Sequence, residues 1–118
     1  MDENRKWALE RMKSDETDRI VGALLSLSFY DEDWEYVENI CIEYSNHSDS
    51  KVRGISILCF GHLARIHEQL HIEKVMPIIN KALIDKDDFI RKHAYDAKDD
   101  ISDLHKGVNV LLRYLACK

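Results

Sequence analysis

One proline and four glycines in 118 residues are too few for the many tight turns of an all-β chain. The three cysteines, Cys41, Cys59 and Cys117, are odd in number and widely spaced, and no C-x-x-C occurs. That pattern indicates neither a disulfide framework nor a zinc knuckle. Long hydrophobic runs are also missing. The longest apolar stretch, Ile20 to Tyr30, contains two serines and is too short to cross a bilayer. Met1 to Lys13 is charged throughout and holds no apolar signal-peptide region, so the cytoplasm is the expected compartment. No glycine-rich phosphate loop and no cysteine-nucleophile signature is present, so no cofactor and no catalytic residue is expected. Basic stripes are missing as well: the net charge is −5, and Lys and Arg are scattered. Nucleic-acid binding draws much of its affinity from neutralised phosphates, which such a chain does not offer. Acidity steers association towards basic partners and also keeps a protein in solution.

What is present is helical periodicity. Hydrophobic residues make up 45% of the chain and recur at three and four residues, which suits one domain over 1–118 with a small core. The spacing predicts helices over 4–13, 16–30, 32–45, 49–67, 72–84, 87–104 and 106–116. Ser14, Asp31 and Ser48 stand where helix caps are needed. The short connections predict antiparallel neighbours. In the fourth helix Val52, Ile55, Cys59, Leu63 and Ile66 form a stripe, and Ile57, Leu58 and Phe60 carry apolarity around the other sides, as in a helix covered on several faces. The sixth has one narrow stripe, Ile90, Ala94, Ala97, Ile101 and Leu104, as expected near an exposed end of a row.

An internal repeat appears at an offset of 38: Asp49-Ser50-Lys51-Val52-Arg53 aligns with Asp87-Asp88-Phe89-Ile90-Arg91. Val37 and Cys41 meet Val75 and Ile79, while Ser56, Cys59 and Leu63 meet Ala94, Ala97 and Ile101. A fainter copy lies in Asp18 to Leu27. Val75-Met76-Pro77-Ile78-Ile79, Ala82 to Asp85, Asp87, Ile90-Arg91 and Ala94 together resemble one whole HEAT repeat. Pro77 stands at the family's kink, and Asp85 and Asp87 in its turn. The second copy departs from the pattern with Asn39 at the proline position and a polar Ser45-Asn46-His47. The resemblance covers roughly residues 32–104. It implies an all-α fold, a short right-handed α–α superhelix of about three helix pairs plus a C-terminal capping helix. It also implies that Arg53 and Arg91 pair with turn carboxylates such as Asp49, Asp85 or Asp87.

Three features bear on chemistry. His67-Glu68-Gln69-Leu70-His71 matches H-E-x-x-H, in which a continuous helix presents two zinc ligands one turn apart and a glutamate base. The repeat instead ends a helix near His67 and starts another near Ile72, so the motif straddles a turn and no metal is expected. Second, Asp96, Asp99, Asp100 and Asp103 fall at i, i+3, i+4 and i+7, on a face away from the apolar stripe. Like charges at this spacing work against their own helix, and aspartate is a poor helix former. A solvated face with no role is one account; a site for a basic protein, with Lys92 and Tyr95 beside it, is the other. Third, Asp31, Glu32, Asp33, Glu35 and Glu38 open the third helix, where the helix dipole favours acids. Trp7 and Trp34, at helical spacing, read as core or semi-core.

The leading expectation is a protein-binding module and not an enzyme. Small acidic proteins of HEAT-like pairs resemble bacterial immunity proteins, including those of contact-dependent inhibition systems. That resemblance implies a basic, nuclease-type toxin domain as partner, its active site occluded, and a monomer as the favoured state. A general scaffold or adaptor and a zinc metallopeptidase using His67, Glu68 and His71 are the alternatives.

Overall fold

The computed structural model describes residues 2–116, with side chains described as far as Leu104. Over that span the chain forms six helices: α1 (Glu3–Met12), α2 (Thr17–Tyr30), α3 (Trp34–Tyr44), α4 (Ser50–His67), α5 (Ile72–Ala82) and α6 (Asp88–Ala116). No strand occurs among the described residues.

Acidic side chains set three of the starts. Asp2, Asp33 and Asp49 each accept a hydrogen bond from a first-turn amide, at Asn4, Tyr36, and Lys51 with Val52. The expected caps are displaced by one or two residues. Asp49, not Ser48, caps α4, and Asp33, not Asp31, caps α3. The Ser14 hydroxyl accepts from the Glu16 amide just outside α2.

Side-chain bonds fix how the helices stack. At one end of α2 Thr17 Oγ1 donates to Asp49 Oδ2 at 2.8 Å, and at the other Ser28 Oγ meets His62 Nδ1 at 3.0 Å, so α2 and α4 run parallel. On the opposite flank of α4, Gly54 lies against Phe89, and Gly61 against Ala97 and Asp100, so α6 runs parallel too. α1, α3 and α5 each pack on the helix that follows them. The result is a slab of two helix layers, 55 × 38 × 17 Å, with α4 in the middle. Eleven of the eighteen residues of α4 are buried. That agrees with its all-round apolarity, except that Ile66, placed on the stripe by spacing, is 43% exposed. Phe60 at its centre joins Leu24 and Leu27 of α2, Val37 and Cys41 of α3, Ile79 of α5, and Ile90 and Ile101 of α6 in one core.

Two expectations need correction. The predicted helices 87–104 and 106–116 are one helix, α6, and no separate capping helix occurs among the described residues. The intervening Leu104-His105-Lys106-Gly107 holds no proline, and a lone glycine costs a helix only about 1 kcal/mol. The two arginines avoid the turn carboxylates named for them. Arg53 Nη1 donates to the carbonyls of His47 and Ser48 at 3.0 Å each, and Arg91 Nη1 donates to the Asp85 carbonyl. Arg91 also pairs with Asp88 one turn away. The turn carboxylates are occupied otherwise: Asp49 and Asp87 accept first-turn amides, and Asp85 Oδ1 accepts the Asp87 amide.

Candidate functional site

The acidic row on α6 is the first candidate. Ile90, Ala94, Ala97 and Ile101 are buried, and Leu104 is half-buried beside them. Opposite that stripe Lys92, Tyr95, Asp96, Asp99 and Asp103 are exposed, Tyr95 by 57%. Asp100 departs from the group. It lies against Gly61 of α4, its side chain is 20% exposed, and Arg65 Nη1 stands 3.5 Å from its Oδ2. The four aspartates therefore divide into an exposed set of three and one that ties α6 to α4. Helix periodicity could not separate them, because Asp100 sits at the border between the apolar stripe and the polar face. The small residue opposite it, Gly61, decides the side.

On α4 the flank towards α2 carries Cys59 and His62, and the flank towards α6 carries Gly54 and Gly61. Between them runs Lys51, Leu58 and Arg65, at a seven-residue spacing along the helix. Lys51 is paired with Asp18 of α2 at 3.2 Å and Arg65 with Asp100. The cations of this surface are thus drawn into pairs with neighbouring helices, whereas Asp96, Asp99 and Asp103 enter no ion pair among the described residues. Three exposed aspartates headed by one lysine, Lys92, leave the face net negative and attractive to cations.

The H-E-x-x-H sequence is broken by the backbone. α4 ends at His67, Glu68 adopts φ 55° in the left-handed region, and α5 begins only at Ile72. His67 and His71 therefore do not share a helical turn. His71 is used elsewhere: Glu38 of α3, fully buried, accepts its backbone amide at one oxygen and contacts Nδ1 with the other, each at 2.7 Å. Glu35 stands 3.7 Å from Nε2, and the Trp34 ring lies 5.0 Å from the imidazole. No group of three or more His, Cys, Asp or Glu able to hold a metal occurs among the described residues.

The acids grouped at the third helix do different work from what the dipole alone suggests. Asp31, 2% exposed, closes a two-pronged ion pair with Arg5 of α1, both distances 2.8 Å, and the guanidinium stacks 4.0 Å over the Tyr36 ring. The Arg5 hydrogen bonds hold the Asp31 carboxyl below its ordinary value against the opposing effect of burial. Trp34 is half-buried, as expected, whereas Trp7 is 46% exposed under the guanidinium of Arg11.

Cys41 and Cys59 are free and fully buried between α3 and α4; Cys117 lies outside the described residues. Hydrogen bonding to Cys59, then burial, pushes the Cys41 thiol well up, which suits a small apolar filler and not a nucleophile. Among the remaining histidines His62 is buried against Ser28 and Phe29, His47 and His93 are half-buried, and His105 lies outside the described side chains.

Comparison with protein families, with curated proteins and with solved structures finds no match to this chain. No described helix is long and apolar enough to cross a membrane.

Proposed function

We propose that this chain is a protein-binding module that recognises a basic protein through the exposed face of α6. The observation that carries the reading is the separation within the aspartate group: Asp100 is spent on Arg65, while Asp96, Asp99 and Asp103 stay exposed without an ion pair among the described residues. Lys92 and Tyr95 flank the row and extend the contact surface. Side-by-side parallel α2, α4 and α6, each backed by the preceding helix, support a HEAT-like superhelix of three pairs, a scaffold that binds along one face. The net charge of −5 favours a basic partner.

The specific form of the reading is an immunity-type protein, acting as a monomer in the cytoplasm, that covers the active site of a basic, nuclease-type toxin domain. It involves no metal, cofactor, nucleic acid or membrane. Affinity capture from the native cell tests it. Recovery of a basic toxin domain, above all one encoded next to this gene, supports it; a housekeeping complex as the sole partner contradicts it. The break at Glu68 speaks against the peptidase alternative, since its two ligands require one continuous helix.

A further inference from the structure

Where the turn between α3 and α4 meets α5, the molecule carries an open cleft of about 520 Å³. Its accessible apolar wall is Pro77 and Ile78 of α5, with the buried Ile57 of α4 and Ile90 of α6 beneath. Two cations, Arg53 and Lys81, stand among the lining residues against one carboxylate, Asp85. Asp85 is partly engaged, because its Oδ1 accepts the Asp87 amide at 2.9 Å. Arg53 is held in place by the two turn carbonyls that take its Nη1, and no described residue accepts from its Nη2 or Nε. Lys81 is exposed and enters no ion pair among the described residues. His47 adds a donor: its Nδ1 accepts the Asp49 amide at 3.0 Å, which leaves the proton on Nε2.

We propose that this cleft is a binding site for a carboxylate carrying an aliphatic body. The volume suits a small ligand or the last residues of a peptide. A fixed guanidinium edge matches a carboxylate better than a point charge does. The net charge of the lining favours a monoanion, and the apolar wall of Pro77 and Ile78 has nothing to contact in a bare phosphate. The chemistry is shared by a free aliphatic acid and by a peptide chain end with an aliphatic final side chain. The site is separate from the α6 face, so either can fail without the other.

Amide chemical-shift mapping by NMR on the whole protein tests it, with hexanoate, its neutral twin hexanamide, and a tetrapeptide ending in leucine with a free or amidated terminus. The expected result is saturable shifts confined to 45–48, 53 and 78–85. Hexanoate should bind about tenfold more tightly than hexanamide, as a charge-assisted bond implies. Lys81→Gln, at an exposed position, should weaken hexanoate several-fold while leaving the rest of the spectrum in place. Tighter binding of the free-terminus peptide than of hexanoate identifies a chain end as the ligand; the reverse order identifies a small acid. Absence of shifts at the cleft with every acid at tens of millimolar, equal binding of acid and amide, or an unchanged affinity in Lys81→Gln overturns the proposal.

Discussion

The Glu38 carboxylate, fully buried in α3, grips His71 at both its backbone amide and its ring nitrogen, and so pins the start of α5 to the neighbouring pair. Removing the Glu38 side chain leaves the half-buried His71 amide and ring nitrogen without their acceptor. Glu38→Ala should therefore lower the unfolding free energy by about 2 kcal/mol, and Glu38→Gln, which keeps one acceptor, by about half of that. Urea denaturation followed by circular dichroism measures both. A change below about 0.5 kcal/mol in Glu38→Ala would show that the contact contributes nothing.

Two glycines inside helices should respond in opposite directions. A Cβ on Gly61 would meet Asp100 Oδ2 at 2.8 Å and the Ala97 Cα at 3.0 Å, so Gly61→Ala forces α6 away from α4 and costs about 1–3 kcal/mol. A Cβ on Gly22 meets nothing within 4 Å. Gly22→Ala should then show the ordinary gain of helix propensity, about 0.5–1 kcal/mol. Thermal melts of the two variants beside the wild type read the difference directly.

The fold was legible in the sequence wherever burial follows periodicity. The stripes on α4 and α6 and the break between His67 and Ile72 stand close to where spacing and the offset of 38 put them. That offset is realised as repeated bonding: His47 and Asp85 each accept an amide two residues on, and each gives its carbonyl to the arginine six residues on. Contacts set by tertiary placement were not legible. Asp31 reads as a cap until Arg5, 26 residues away, is brought beside it, and Glu38 reads as an N-terminal acid until His71 is. Similarly, only the packing of Gly61 shows that Asp100 leaves the exposed row. The union of the last two predicted helices went unseen because a polar stretch with a glycine resembles a turn in sequence alone.

Acid should loosen the docking of α1. Because Arg5 lowers the Asp31 carboxyl, the stability from this pair is complete above the ordinary aspartate value of about 4 and is lost as pH falls through the lower folded value. The urea midpoint of the wild type should drop more steeply between pH 5 and pH 3 than that of Asp31→Asn, whose midpoint is lower at neutral pH. Parallel pH profiles would refute the assignment.

Zinc should not bind stoichiometrically through His67 and His71, given the left-handed Glu68 between them. Native mass spectrometry of the purified protein with one equivalent of zinc measures this. A one-to-one complex lost in His67→Ala and in His71→Ala would restore the metal-site reading.

The exposed row on α6 receives the sharpest test. Replacing Asp96, Asp99 and Asp103 with Asn removes like-charge repulsion and should leave the protein as stable or a few tenths of a kcal/mol more so. The titration to perform is of wild type and this triple variant against the captured partner at low and at physiological salt. The account predicts a Kd weakened at least about tenfold in the variant, with a flattened salt dependence. An equal Kd and an equal salt slope for the two proteins would contradict it.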